Sequence, residues 1–211
     1  MIIDLHLHSY PKSDDSFMPV NDLIDESKQN GLDAVCLTDH DTFWPIEKTR
    51  NLSKLHNFLV LPGTEINTDN GHVLVFGITE YLFGMHKINF LSDKVKNSKG
   101  AMVAAHPYRR RYLKDLNDSE YRQNSLEKAC KDELFDLCDC IEVLNGRGTD
   151  EENDFSVEIA RELKMASTGG SDAHKIEQIG TYATEITAKV NELEDLITAL
   201  QLGNVKPVCL S

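Results

Sequence analysis

The feature that most constrains this chain is where its histidines and acids fall relative to its short apolar runs. The runs are Ile2–Leu5, Ala34–Leu37, Phe58–Leu61, Val73–Phe76, Met102–Ala105, Cys140–Leu144 and Met165–Ser167, with a late candidate at Val205–Leu210. Several are rich in Val and Ile and bounded by Gly, Pro or Asp, the pattern of buried strands. Asp4, His6 and His8 close the first run, Asp39, His40 and Asp41 follow the second, and Glu65 follows the third. His72 opens the Val73–Phe76 run, His106 ends the next, Glu142 and Asn145 bracket the end of the one after, and Asp172 and His174 follow Met165–Gly170. Helix-like stretches lie between. Pro19–Gln29 stops at Asn30-Gly31, Asp150–Leu163 carries Phe155, Ile159 and Leu163 at four-residue spacing, and Asn191–Leu202 precedes Gly203. Alternation of this kind implies a parallel sheet, open or closed into a barrel. The C-terminal strand ends of such folds share one face, so residues far apart in sequence converge there. Gly71–Ile78 follows its predecessor too closely for a helix between them, and a hairpin or irregular excursion is expected.

The donor types point to metal chemistry. Histidine and carboxylate without thiolate suit zinc, manganese or iron. His6-x-His8 places both imidazoles on one side of an extended segment, and Asp172-x-His174 repeats the spacing. A carboxylate such as Glu65 can hold two ions side by side. One H-x-H alone is a weak signal. The case rests on repetition, because five of the eight histidines directly follow apolar runs. His56 and His86 follow none and read as ordinary surface or core residues.

Bulk properties narrow the classes further. At 211 residues, a single domain over 1–211 is expected. A net charge of −13 argues against long nucleic acids, yet bound cations would make one cleft locally positive and able to take a small anion. No apolar run approaches the roughly 20 residues that span a bilayer. The N-terminus has no secretory pattern, so a cytoplasmic location without membrane contact is expected. The odd count of five cysteines reads as structural thiols rather than a disulfide framework. Nothing in the sequence specifies an oligomeric state.

The motifs DLHLHS at 4–9, LTDHDT at 37–42, PGTEIN at 62–67, GHVLVFG at 71–77, AAHP at 104–107, IEVLNGR at 141–147 and GGSDAH at 169–174 stand in order along nearly the whole chain. With them the chain resembles the PHP family, named for polymerase and histidinol phosphatase domains. The resemblance implies an α/β fold built as a distorted seven-stranded β/α barrel, similar to a TIM barrel. It implies two or three divalent ions (manganese, zinc or iron). His6, His8, Glu65 and Asp172 would hold the first, and Glu65 would bridge to a second held by His72 and His106. A third would take His40, His174 and a residue from the loop after His8. Family members usually carry an acid or histidine about five residues after the second histidine, where this chain has Ser13. Aligning Ser13-Asp14-Asp15-Ser16 with the family's loop selects Asp14 ahead of Asp15.

The activity so implied is hydrolysis of a phosphomonoester, on a nucleotide or small metabolite, by a metal-activated water. Arg109, first of the run Arg109-Arg110-Arg111, and Arg147 are candidates to fork onto phosphate. Asp41 is a candidate to orient His40 or handle protons. The segment 108–139, the longest between motifs, is expected to form a small lid that shapes substrate choice, with a loop over Leu113–Ser119 and a helix over Leu126–Leu137. Alternatives are exonucleolytic trimming of oligonucleotide ends, a carbon–nitrogen hydrolase, or a non-catalytic metal-binding scaffold, since fold and ligands alone do not fix the bond cleaved.

Overall fold

A computed structural model describes residues 1–109 and 118–210. Its strands are β1 (Ile2–Leu7), β2 (Ala34–Leu37), β3 (Leu59–Pro62), β4 (Thr64–Thr68), β5 (Gly71–Phe76), β6 (Ala101–Ala104), β7 (Cys140–Asn145), β8 (Ala166–Gly170), β9 (Tyr182–Ile186) and β10 (Val205–Cys209). The helices are α1 (Val20–Gln29), α2 (Ile46–His56), α3 (Ile88–Asn97), α4 (Ser119–Ala129), α5 (Glu133–Leu137), α6 (Asp150–Leu163) and α7 (Leu193–Gln201). The strands form two five-stranded mixed sheets, in the orders β10-β9-β1-β2-β3 and β4-β5-β6-β7-β8. Within them β1-β2-β3 and β6-β7-β8 are parallel, while β4-β5, β5-β6, β1-β9 and β9-β10 are antiparallel.

The expected closed barrel of seven strands is not what the strand pairing forms. Among the described residues, backbone pairing joins the two sheets through single bridges rather than ladders, His40 with Glu65 on one side and Leu7 with Ala173 on the other. The physical reason lies in two antiparallel excursions. Gly63 ends β3 where a Cβ would lie 2.8 Å from Phe76 and 2.9 Å from Thr38, and the chain turns there into the β4–β5 hairpin. The second excursion is β9–β10, which caps the free edge of β1. Pro207 sits in β10, the edge strand, where its missing N–H costs no ladder bond. The hairpin itself falls where the spacing around Gly71–Ile78 requires one.

One interior cluster draws on both sheets. Ile3, Leu5, Ala34 and Cys36 meet Leu74, Phe76, Val103 and Cys140, and α7 closes over them with Leu196, Ile197 and Leu200. Each large aliphatic buried in this way contributes roughly 1.5–3 kcal/mol. Local signals set the helices. α6 begins at Thr149, whose hydroxyl caps the N–H of Glu152 while the Glu152 carboxylate returns to the Thr149 N–H. α1 ends at Asn30, and Gly31 takes a φ of +81° that a side chain would strain. In the segment expected as a lid, α4 and α5 replace the single helix over Leu126–Leu137, with a break at Cys130–Asp132. Most of the expected loop at Leu113–Ser119 lies outside the described residues, as do Arg110 and Arg111.

Candidate metal centre

β1 delivers two histidines to one point. His6 and His8 are fully buried, with Nε2 atoms 3.1 Å apart. Glu65 Oε2 lies 3.3 and 3.2 Å from those two nitrogens, and Asp172 Oδ1 lies 3.6 and 3.4 Å from them. A tetrahedral ion holds such donors at about 2.0–2.1 Å, which sets their mutual spacing at roughly 3.3–3.4 Å. The four atoms therefore already have the spacing of a cation's coordination shell. Glu65 Oε2 supports the same reading, since it is buried without a hydrogen-bond partner although three imidazole nitrogens lie within 3.3 Å. These residues fit a divalent ion.

The other donors surround this floor. The second Glu65 oxygen, Oε1, lies 2.7 Å from His72 Nδ1 and 3.0 Å from His106 Nε2, so the carboxylate faces two sets of imidazoles. His40 Nδ1 lies 3.0 Å from Glu65 Oε2. His174 Nε2 lies 2.9 Å from Asp15 Oδ2, which is also 3.7 Å from His40 Nε2. Four donor groups each bring ligand atoms within 4.8 Å of one another: His6-His8-Asp172, His8-His40-His174, His6-His106-Glu142 and His40-Glu65-His72.

The residue brought from the loop after His8 is Asp15, in place of the expected Asp14. Ser13 and Ser16 point inward, Ser13 to Asp39 and Ser16 to the His8 carbonyl, and the turn they pin leaves Asp14 on the outer side while Asp15 reaches the histidines. Asp41 stands beside His40 and interacts with its charge. His40 is oriented by Glu65, and the Asp41 carboxyl faces the Asn67 N–H, its pKa raised by burial. Arg109 ion-pairs with Asp172 and donates to Asn145 Oδ1, and Arg147 lies 3.1 Å from both ring nitrogens of His174. Both arginines reach the cluster. His56 lies away from it, between Asp25 and Asn21.

Glu142 and Asn145 carry more than their strand-end position suggested. Glu142 Oε1 accepts from His6 Nδ1 at 2.9 Å, and its Oε2 accepts from the His106 N–H and from Asn145 Nδ2. That fixes the His6 proton on Nδ1 and turns the Nε2 lone pair to the cluster. β8 approaches closely enough only because residue 170 is glycine, where a Cβ would stand 2.6 Å from His6 Cβ and 2.7 Å from Glu142 Oε1. Three site residues, Asp41, His106 and Asp172, hold left-handed backbone at φ +46°, +28° and +50°. Such conformations cost on the order of 1 kcal/mol or more each and collect where side chains must be aimed.

The electrostatics are those of a site built for positive charge. Burial alone would lower the His6 pKa, but Glu142, Asp172 and Glu65 outweigh it and hold it well above the usual range. His8 is held at about 8, with Asp172 and Glu65 opposing its burial. Burial alone would raise Glu65 and Asp172, yet the facing imidazoles, His6 foremost, keep both well below the carboxylate range. Asp4, fully buried behind the floor, is pushed up to about 7 by burial despite the N–H groups of His6 and Ser171.

Comparison with known proteins agrees with this picture. The protein MJ0417 of Methanocaldococcus jannaschii is 31% identical over 186 residues, which cover 85% of this chain and 68% of that protein. A two-domain protein of Bacteroides vulgatus, described as containing a predicted PHP-like metal-dependent phosphoesterase, superposes with a TM-score of 0.66 at 19% identity, over 99% of this chain and 64% of that one. A Chromobacterium violaceum amidohydrolase with bound sulfate superposes with a TM-score of 0.64 at 15% identity, over 99% and 98% of the two chains. Likeness at that identity speaks to the fold. A model of PHP-associated segments matches residues 150–205, and one of the PHP domain matches residues 4–145, more than half of the chain, which therefore belongs to the PHP domain family.

Proposed function

We propose that this protein is a metal-dependent hydrolase of phosphomonoesters, acting on a nucleotide or small phosphorylated metabolite. The observation that carries the reading is the buried set of His6, His8, Glu65 and Asp172, spaced as a coordination shell. His6, His8, Glu65 and Asp172 would hold one divalent ion, with Glu65 shared toward His72 and His106, and His40, His174 and Asp15 would hold a further one. Manganese, zinc and iron all suit these donors. Divalent ions in such a site supply Lewis acidity, make water a stronger nucleophile at neutral pH and neutralise phosphoryl charge.

The chain's own residues do the rest. Arg109 and Arg147, at the edge of the cluster, present planar guanidinium groups to the phosphoryl oxygens. Glu142 and Asn145 keep His6 and Asp172 aimed. Among the described residues, the hydroxyls and thiol that β1, the loop after it and β2 bring near the cluster are not free to attack. The Ser9 and Ser13 protons go to Asp39, the Ser16 proton goes to the His8 carbonyl, and burial holds the Cys36 thiol well above its usual pKa. Water is then the nucleophile, and catalysis is positioning and charge stabilisation. The segment 108–139 would act as a lid over this face and set substrate choice. Exchanging it should alter specificity at constant metal content. The chain would act as one domain on a small substrate, away from long nucleic acids. Among the described residues no helix is long and apolar enough to cross a membrane, and the thiols of Cys36, Cys130, Cys138 and Cys140 suit the reducing cytoplasm we assign to it.

The test is phosphate release by manganese-loaded protein against a panel, with a chelated control. Sugar phosphates, histidinol phosphate, mononucleotides, bisphosphonucleotides, phosphotyrosine peptide, short oligonucleotides and simple amides separate the readings. Chelator-sensitive release from one phosphomonoester class supports the proposal. Cleavage of amides alone, or of internal oligonucleotide bonds alone, overturns it.

A further inference from the structure

Asp39 lies directly after β2 and is fully buried, but it takes no part in the donor cluster. Its Oδ1 receives the Ser9 N–H at 2.6 Å and the Ser13 hydroxyl at 2.9 Å. Its Oδ2 receives the Ser9 hydroxyl at 2.9 Å and the Trp44 indole N–H at 2.7 Å. An indole N–H and a backbone N–H can only donate, so Asp39 accepts from every side. Ser13 is the member of this group that touches the metal cluster. It is 2% exposed, and its Oγ lies 3.1 Å from His8 Nδ1 and 3.1 Å from the His40 N–H.

A hydroxyl has one proton and two lone pairs. Asp39 Oδ1 has no proton to give and claims the one on Ser13. The lone pairs of Ser13 must then accept, one from the His40 N–H and one from His8 Nδ1. His8 can satisfy this only by carrying its proton on Nδ1. We propose that Asp39 and Ser13 form a tautomer lock on His8, which commits the imidazole proton to Nδ1 and presents the Nε2 lone pair to the ion. Ser13 and Asp39 are positioning residues and not ligands. The lock does for His8 through a serine hydroxyl what Glu142 does for His6 directly. It rests on His8 binding an ion through Nε2, as in the function proposed above. It does not depend on which bond the enzyme cleaves.

The lock makes a directional prediction. In Asp39→Asn, the NH2 must face either the Ser9 N–H or the Trp44 N–H; where it takes the Oδ1 position it donates to Ser13, and the hydroxyl is freed to donate to His8 Nδ1. His8 is then driven to the Nε2–H tautomer, which points a proton at the ion. In Ser13→Ala, the Asp39 contacts with Ser9 and Trp44 remain, and His8 loses the one acceptor that Nδ1 has among the described residues. The experiment is nitrogen-15 NMR of the histidine rings in the apoprotein at alkaline pH, where the rings are neutral, paired with a zinc-binding isotherm for wild type and both variants. The expected result is an Nδ1–H His8 in wild type, a shift to Nε2–H in Asp39→Asn, and zinc affinity reduced about 10- to 100-fold in both variants. An Nε2–H His8 in the wild-type spectrum overturns the proposal without any variant. So does wild-type zinc affinity in folded Ser13→Ala. Failure of the phosphatase assay would leave both readouts unchanged, so the two ideas fail separately.

Discussion

His6, His8, Glu65 and Asp172 at the floor of the cluster are at most 1% exposed, whereas His40 and His72 at its rim are 30% and 29% exposed and Asp15 is 48% exposed. Three of the four floor side chains are tied from behind. Glu142 fixes His6, Ser13 contacts His8, and Asn145 donates to Asp172. At the rim, Asp15 sits on an exposed loop held by the Ser13 and Ser16 hydroxyls and by backbone bonds at its two ends, and among the described residues nothing ties its own carboxylate from behind as Glu142 ties His6. Donors that are fixed in advance lose little freedom on binding, and donors that must be ordered lose more. If the donors hold metal as proposed, the contrast predicts a graded centre, with a floor ion held tightly and a rim ion exchanged easily.

The largest effect should come from breaking the floor. His6→Ala is expected to remove a full equivalent of tightly bound metal, read by elemental analysis after gel filtration. It should lower chelator-sensitive turnover by more than the roughly 100-fold that a supporting partner contributes. Retention of the wild-type metal content would refute the assignment of the floor. Stripping all ions is a gentler break, since the side chains remain. At free metal about a thousandfold above Kd, binding adds about 4 kcal/mol of stability. For a domain of this size that is a Tm difference of roughly 8–16 °C between metal-loaded and chelated protein by calorimetry. An unchanged Tm would mean that the cluster does not bind the added ion tightly.

The next two substitutions sharpen the contrast. Glu142→Gln keeps the shape but turns one acceptor oxygen into a donor. Whichever way the amide lies, either His6 Nδ1 or the pair of His106 N–H and Asn145 Nδ2 then faces N–H against N–H. Zinc affinity at the floor should fall about 10- to 100-fold, and chemical denaturation should show a stability loss of about 1–3 kcal/mol. Asp15→Asn should act on the rim alone. A titration should lose its weak binding phase while the tight phase keeps its affinity. Loss of the tight phase instead would mean that the two regions are one cooperative unit.

Much of the donor cluster was legible in the sequence because strand ends announce themselves. His6, His40, His106 and Asp172 follow apolar runs, and parallel strands bring such positions to one face. The support behind them was harder to read. Glu142 lies in β7, a strand buried along almost its whole length, where one acid among Ile, Val and Leu marks a buried group without naming its partner. Ser13 and Asp39 meet through a loop whose path has no period to follow. The barrel expectation failed for a related reason. Strand content was visible, but β4 and β9 were not foreseen, and those strands introduce the antiparallel pairs that replace closure by single bridges.

The smallest expected effect is also the sharpest comparison, because it turns on adjacent residues of identical chemistry. Asp14 and Asp15 are both exposed, and both follow Ser13. Motif alignment favours Asp14, yet only Asp15 reaches His174 and His40. Charge alone cannot tell them apart, since at this distance from the cluster either carboxylate adds one negative charge, screened within roughly 8–10 Å at ordinary ionic strength. Coordination can, because it needs an oxygen at bonding distance. Asp14→Asn should therefore leave metal stoichiometry, both binding phases and turnover within error of wild type, while Asp15→Asn removes the weak phase. If instead Asp14→Asn removes the weak phase and Asp15→Asn does not, ion binding must pull the loop over by one residue. The rim would then be assembled by the ion itself, and the contrast with the preformed floor would be deeper than the unliganded geometry shows.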